Sequence, residues 1–250
     1  MRLKGDLDQY PRELDRYLPT HHIHVWRVFI ERPGIQDDQL WQMLDQAERQ
    51  KAENYRFEHD RQRFIRLHGI LRTILSDYLS TPPGKIRFGI GEHGKPFLHN
   101  DKHIHLEFNL THSEGLALIA LAKDISIGID IEYCRDFPEI NQVTDTFFTQ
   151  LERDSLANAS QDRKLGNFYK IWTFKEANLK ARGLGLTGPL RQYELQLIDH
   201  QSGVVTDIKS CQKHDSIWSY YFITPAPGFI STLVAQDQNH HLTIRDWPPD

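Results

Sequence analysis

From residue 22 the chain runs "HIHVWRVFI", a mostly apolar stretch with β-branched and aromatic side chains, which predicts a first strand over 22–30. Leu and Trp dotted through polar sequence predict a helix over 36–53. A longer helical stretch covers 60–79 and is stopped by "STPPGK", because consecutive prolines cannot continue a helix. Short strands are expected around "IRFGI", "PFL" and "HLEFNLTH", followed by a hairpin in which "LALIALA" turns through "KD" into "ISIGIDIE". Beyond it, 139–157 and 162–182 carry helical patterns, and the tail offers strands at 192–198, 217–223, 229–235 and 241–245. Helix-then-strand order recurs once in each half, so we expect an α+β chain of two similar lobes related by a pseudo-twofold axis, spanning 1–122 and 123–250.

Within "ISIGIDIE" the alternation places Ile125, Ile127, Ile129 and Ile131 on one face and Ser126, Gly128, Asp130 and Glu132 on the other. The two carboxylates then stand side by side, their Cα atoms roughly 6.5–7 Å apart, and repel unless a cation or a proton intervenes. Gly128 removes a side chain from that face, which leaves room for an approaching group or marks a bulge.

Composition narrows the class. With 250 residues, 39% hydrophobic and 26% charged, the chain is globular with ample core, and a net charge of −4 provides no overall basic field for nucleic acid. The first residues lack the apolar segment of a signal peptide, and the longest apolar run, "LALIALA", is too short to span a bilayer, so a cytoplasmic protein without membrane association is expected. Cys134 and Cys211 lack the spacing of a disulfide framework or a zinc knuckle. "HHIH" at 21–24 is a candidate metal cluster, but no second ligand set accompanies it in sequence.

A second informative stretch is "FYKIWTFKEANLKARGLGL", 168–186, in which Trp172, Glu176 and Lys180 follow at i, i+4 and i+8 and line one helix face, with Gly183 at the C-terminal turn. Asp130, Glu132 and Glu176 together are an oxygen-only ligand set suited to Mg²⁺, which completes its shell with water and phosphate. The absence of His and Cys from the set argues against zinc. Carboxylate-held Mg²⁺ neutralises a pyrophosphate while one carboxylate serves as general base, so the residues point to phosphoryl-type transfer. Nucleases and nucleotidyl transferases use similar acid pairs and stand as the alternative, as does a non-catalytic carrier-protein binder. Upstream, Lys95 in "GKP" and Thr111 and His112 in "FNLTHS" are plausible phosphate contacts.

"GKPFL", "FNLTHS", "IGIDIE" and "WTFKEANLKARGLGL", in this order and spacing, resemble the Sfp-type 4′-phosphopantetheinyl transferases over roughly residues 45–195. The resemblance implies transfer of the 4′-phosphopantetheine arm of coenzyme A to a serine of an apo acyl or peptidyl carrier protein, releasing adenosine 3′,5′-bisphosphate, by a monomer with its site between two lobes. By motif position it makes Asp130, Glu132 and Glu176 the Mg²⁺ ligands, Glu176 also the base, and Lys180 the pyrophosphate contact that assists departure. Lys95, Thr111 and His112 would contact coenzyme A. The family places basic residues ahead of an aromatic to meet the 3′-phosphate; here Arg49, Lys51 and Arg56 stand at imperfect spacing, and His68 occupies a position where Arg is common.

Overall fold

The computed structural model describes residues 18–99, 105–185, 188–196, 201–207 and 217–249. The chain begins with strand β1 (His22–Phe29), then helices α1 (Asp37–Met43), α2 (Gln46–Glu53) and α3 (Glu58–Leu79). Four strands follow, β2 (Phe88–Ile90), β3 (Pro96–Leu98), β4 (Leu106–Ser113) and β5 (Leu116–Lys123), and then β6 (Ile127–Tyr133). Helices α4 (Ile140–Phe147), α5 (Gln150–Ala157) and α6 (Gln161–Arg182) lead to strands β7 (Tyr193–Glu194), β8 (Ser202–Val204), β9 (Thr206–Asp207), β10 (Trp218–Ile223), β11 (Phe229–Gln236) and β12 (His241–Trp247).

Two four-stranded sheets organise these elements, one in the order β12-β1-β5-β4 and the other β6-β11-β10-β8. Each carries a 22-residue helix on its outer face, α3 on the first and α6 on the second, which makes the two lobes similar. Three apolar cores follow from this layering. The first joins Trp26, Val28, Ile119 and Leu121 to Phe64, Ile70 and Ile74 of α3; the second joins Phe168, Ile171 and Phe174 of α6 to Val234. The third lies between the sheets, where Ile23, Val25, Leu118 and Ala120 meet Ile127, Ile129, Ile131 and Leu233. Each isoleucine buried there contributes on the order of 1.5–3 kcal/mol.

Strand β5 is buried from Leu116 to Ala122, as expected of a central strand covered on both sides. The expected hairpin between it and β6 is not formed. β5 pairs with β4 and β1, whereas β6 pairs antiparallel with β11, Asp130 opposite Thr232. The chain therefore crosses from one sheet to the other at Asp124, which adopts φ 61°. The last strand, β12, returns to the first sheet and pairs in parallel with β1.

Two single helices read from sequence are each broken. Asp45 caps α2, accepting from the Glu48 amide while Glu48 reaches back to the Asp45 amide. Thr149 and Glu152 repeat that reciprocal pair at the start of α5. A new N-cap stabilises a new helix start, so 36–53 and 139–157 divide at Leu44 and Phe148. The strand expected at 192–198 is limited to Tyr193–Glu194, and positions 197 and 198 lie outside the described residues, as does Cys211. Among the described residues no helix is long and apolar enough to cross a membrane.

Candidate active site between the lobes

Strands β4 and β6 are the facing edges of the two sheets, and side chains of β4 stitch them together. Asn109, Thr111 and Ser113 point the same way because they are two residues apart in a strand. Asn109 Oδ1 accepts from the Ile129 amide at 2.8 Å, Thr111 Oγ1 donates to Asp130 Oδ1 at 3.2 Å, and Ser113 Oγ donates to Glu132 Oε2 at 3.1 Å. Ser113 Oγ also accepts from the Tyr133 amide at 3.1 Å. The seam thus fixes the backbone that carries both acids.

Helix α6 closes the other side. A Cβ on Gly128 would lie 2.2 Å from both the Ala177 carbonyl oxygen and the Ala181 nitrogen, so glycine is required for the backbone of α6 to touch the strand. What approaches Gly128 is the helix itself, and the glycine marks neither a bulge nor a ligand cleft. That close contact brings the Glu176–Lys180 face against Asp130. Lys180 Nζ donates to Asp130 Oδ1 at 2.6 Å, and also to Thr111 Oγ1 and the Ile129 carbonyl, each at 3.3 Å. The repulsion expected between Asp130 and Glu132 is partly offset from within the chain, by the Lys180 cation on one acid and a hydrogen bond from Ser113 on the other.

Burial sets the protonation of the three acids. It raises the Asp130 pKa, opposed by the charge and hydrogen bond of Lys180 and the bond from Thr111. Glu132 is raised by burial and then by Asp130, with Ser113 and Trp172 pulling the other way. Glu176 is pushed up to about 7 by burial and by the Asp130 carboxylate, with Lys180 opposing. A carboxyl that titrates near neutrality, in a site that also holds an ammonium, is equipped to take up a proton.

As regards a metal ion, no three His, Cys, Asp or Glu among the described residues are gathered into a group that could hold one. The donor chemistry nevertheless fits a hard cation. Asp130 Oδ2 is buried without a hydrogen-bond partner, and Glu132 and Glu176 are coupled electrostatically to Asp130.

The remaining sequence candidates are divided by the fold. His112 follows Thr111 on β4; partial burial and then the charges of Arg63, Lys180 and His68 lower its pKa, so its ring is held neutral at pH 7 among these groups. His68 stacks on Phe64 with centroids 3.9 Å apart, and its Nδ1 lies 3.0 Å from Glu48 Oε1. Lys51 sits over the same Phe64 ring, 5.3 Å from its centroid, so it joins His68. Arg49 is turned elsewhere, donating to the carbonyls of Trp41 and Gln42 and fastening α2 to the end of α1. Arg56 lies over Phe57. Lys95 Nζ donates to the carbonyls of Ile127 and Ala181 at 3.0 and 3.3 Å, next along β6 from the Lys180 contact, and desolvation lowers its pKa.

Sequence reasoning assigned no role to Asn109, Ser113 or Arg63. The first two stood inside "FNLTHS", and their period of two was the available signal. Arg63 was indistinguishable from its neighbours Arg61 and Arg66, and like their pairs with Glu58 and Asp37 it has an acidic partner, Glu31, at 3.4 Å. Nor was there a signal for the cavity of about 340 Å³ that opens beside Glu132, walled by Ser113, Tyr133, Phe168, Tyr169 and Trp172.

Comparison with known proteins agrees with this arrangement. The model of the 4′-phosphopantetheinyl transferase superfamily matches residues 126–242, and that of the 4′-phosphopantetheinyl transferase N-terminal region matches 34–124. The chain is 35% identical over 189 residues to the 4′-phosphopantetheinyl transferase HetI of Nostoc sp., covering 75% of this chain and 79% of that protein. It is 28% identical over 184 residues to the 4′-phosphopantetheinyl transferase Sfp of Bacillus subtilis, covering 73% and 79%.

Proposed function

The chain belongs to the 4′-phosphopantetheinyl transferase superfamily and is an enzyme of that kind, and on this premise we propose that it transfers the 4′-phosphopantetheine arm of coenzyme A to a serine hydroxyl of an apo acyl or peptidyl carrier protein, with Mg²⁺. The carrying observation is that Glu176, its pKa pushed up to about 7, stands one helical turn before Lys180 on α6, whose ammonium holds the buried Asp130.

In this reading Glu176 accepts the serine proton as the serine oxygen bonds to the phosphorus bearing the pantetheine arm. The phosphoanhydride bond to the nucleotide breaks, and adenosine 3′,5′-bisphosphate leaves with the bonding pair. Lys180 meets the charge that grows on the departing phosphate, having exchanged its contact with Asp130 for one with the anion. Asp130, Glu132 and Glu176 would hold Mg²⁺, which when bound neutralises pyrophosphate charge. Arg63, with Lys51 nearby, provides positive charge for the phosphates of coenzyme A, while His68 and His112 offer ring nitrogens and Thr111 a hydroxyl. The aromatic-walled cavity at Glu132 suits the pantetheine arm. In this reading Lys51, Arg63, His68, Thr111 and His112 come from the elements before β6, and the three acids from β6 and α6, so the substrate bridges the seam.

Incubation with coenzyme A, Mg²⁺ and an apo carrier protein, read by mass spectrometry, is expected to add one phosphopantetheine to the carrier. A wild-type chain that leaves several apo carriers unmodified while Glu176→Gln behaves identically would overturn the proposal.

A further inference from the structure

Arg72 of α3 is fully buried, and two carboxylates share it: its Nη2 donates to Asp45 Oδ2 and its Nε to Glu48 Oε2, each at 2.6 Å. The second oxygen of Glu48, Oε1, lies 3.0 Å from Nδ1 of His68, whose ring stacks on Phe64 with centroids 3.9 Å apart and planes inclined by 27°. We propose that Glu48 is a positioning residue that commits His68 to meeting the ribose 3′-phosphate of coenzyme A as an imidazolium, so that this phosphate binds together with a proton taken from solvent. The inference rests on the coenzyme A reading above.

The chemistry follows from the hydrogen bonds. A carboxylate can only accept, so Nδ1 carries the hydrogen shared with Glu48, and in the neutral ring Nε2 is then a lone pair. A lone pair repels a phosphate oxygen, whereas an added proton turns Nε2 into a charge-assisted donor. The ring face and Nδ1 are both engaged, Nε2 has no hydrogen-bond partner among the described residues, and 28% of the side chain is exposed, so Nε2 is the atom left to meet a ligand. The surrounding charges make the proton conditional. Two carboxylates, Asp45 and Glu48, and one guanidinium, Arg72, leave one negative charge beside His68. Lys51 of α2, over the Phe64 ring, and Arg63 of α3, in a 3.4 Å pair with Glu31, oppose a further positive charge until a phosphate arrives, and His112 of β4, held neutral, adds none.

The location selects the ribose phosphate over the pyrophosphate. Arg63 and His68 both act on His112, whereas the charges felt by Glu176 are those of Asp130, Lys180 and Glu132, so Arg63 and His68 lie beyond His112 from the acids. With the pyrophosphate at the acids, the remaining phosphate of coenzyme A is the one that reaches His68. An arginine, permanently charged, would bind that phosphate without exchanging a proton; a histidine backed by a carboxylate makes the affinity depend on pH.

The test is calorimetry of the full chain in chelator at pH 8, where a phosphate monoester, whose second pKa is about 6, is already dianionic. Coenzyme A and dephospho-coenzyme A are titrated in buffers of different ionisation heat, and the proton uptake of the second is subtracted from that of the first, which cancels the groups met by the parts the two ligands share. Wild type is expected to take up about half to one proton more with coenzyme A, and its preference for coenzyme A should fall about three- to tenfold from pH 7.5 to 8.5. Glu48→Gln keeps the bonds to Arg72 and the Asp45 amide through its oxygen and donates an amide hydrogen to Nδ1, which moves the ring hydrogen to Nε2. The extra uptake should then vanish and the preference become flat with pH. His68→Arg should give the same result and carries the test if circular dichroism shows Glu48→Gln unfolded. Equal uptake of protons with the two ligands in wild type, or extra uptake that survives in a folded variant, would overturn the inference and leave the coenzyme A reading in place. No binding of coenzyme A at all would overturn both.

Discussion

Glu176→Gln separates the requirements of chemistry from those of folding. A carboxyl whose pKa rises from 4.5 to about 7 on folding binds its proton more tightly in the native state than in the unfolded one. Stability contributed by that proton is present below the ordinary carboxylate pKa and is lost as pH climbs from about 4.5 to 7, because the folded protein must then hold an ionised group in a site that disfavours it. The full cost is about 3 kcal/mol at pH 8, taking 1.36 kcal/mol for each tenfold change in proton affinity, with 2 kcal/mol a realistic figure where water relaxes around the 9% of the residue that is exposed. The neutral amide avoids the cost. Glu176→Gln should therefore match wild type near pH 4.5 and exceed it by about 2–3 kcal/mol at pH 8, while transferring no phosphopantetheine. Urea unfolding in chelator at half-unit steps from pH 4.5 to 8 measures the divergence directly. A stability difference that stays flat across that range, or a variant weaker than wild type at pH 8, would refute the assignment of the raised pKa to burial and Asp130.

The same ionisation should govern the rate: kcat/KM for carrier modification is expected to rise through pH 7 and level off, and a pH-independent profile from 5.5 to 8.5 would remove Glu176 as the base. Gly128→Ala forces β6 and α6 apart against a 2.2 Å contact, and should lower stability by at least about 2 kcal/mol and abolish activity, checked by melting and by the carrier assay. Ser113→Ala removes one bond to Glu132 and one to the Tyr133 amide; a loss of about 1–2 kcal/mol and a raised Mg²⁺ requirement are expected, and Ser113→Thr should restore both. Lys180→Met leaves the Asp130 carboxylate buried without its counterion, so a loss of about 2 kcal/mol at pH 7.5 should shrink towards pH 5 as Asp130 takes a proton. Adding Asp130→Asn to Lys180→Met should return most of that loss, and a double variant no more stable than the single would dissolve the pair as an energetic unit.

Local chemistry made much of the site legible before the fold was known. The alternation in "ISIGIDIE" placed the isoleucines in the core between the sheets and the acids on the opposite face, because a slip of one residue would send every isoleucine to the face that carries the acids. The i, i+4, i+8 spacing in α6 set Trp172, Glu176 and Lys180 on one face, and Gly183 closes the helix at φ 65°. The breaks at Asp45 and Thr149 were also written locally, as D-x-x-E and T-x-x-E, but the apolar periodicity running through them masked the caps.

Pairings between distant segments left no such trace. "LALIALA" and "ISIGIDIE" are joined by so few residues that a hairpin is the local optimum, yet β6 has an apolar face to bury and a polar face to keep near α6. Pairing β6 with β5 in one sheet would have left the core between the sheets without its isoleucines. Pairing it with β11 lays those isoleucines against Ile23, Val25 and Leu118 and turns Asp130 towards Lys180. The departure from the hairpin is therefore the step that builds the active site. It makes β6 an edge strand beside β4, and only an edge can receive Asn109, Thr111 and Ser113 on its free side while α6 covers its face. A long-range contact that brings Lys180 within 2.6 Å of Asp130 rests on that choice of edge, which is why no local pattern in the sequence marks the two residues as an ion pair.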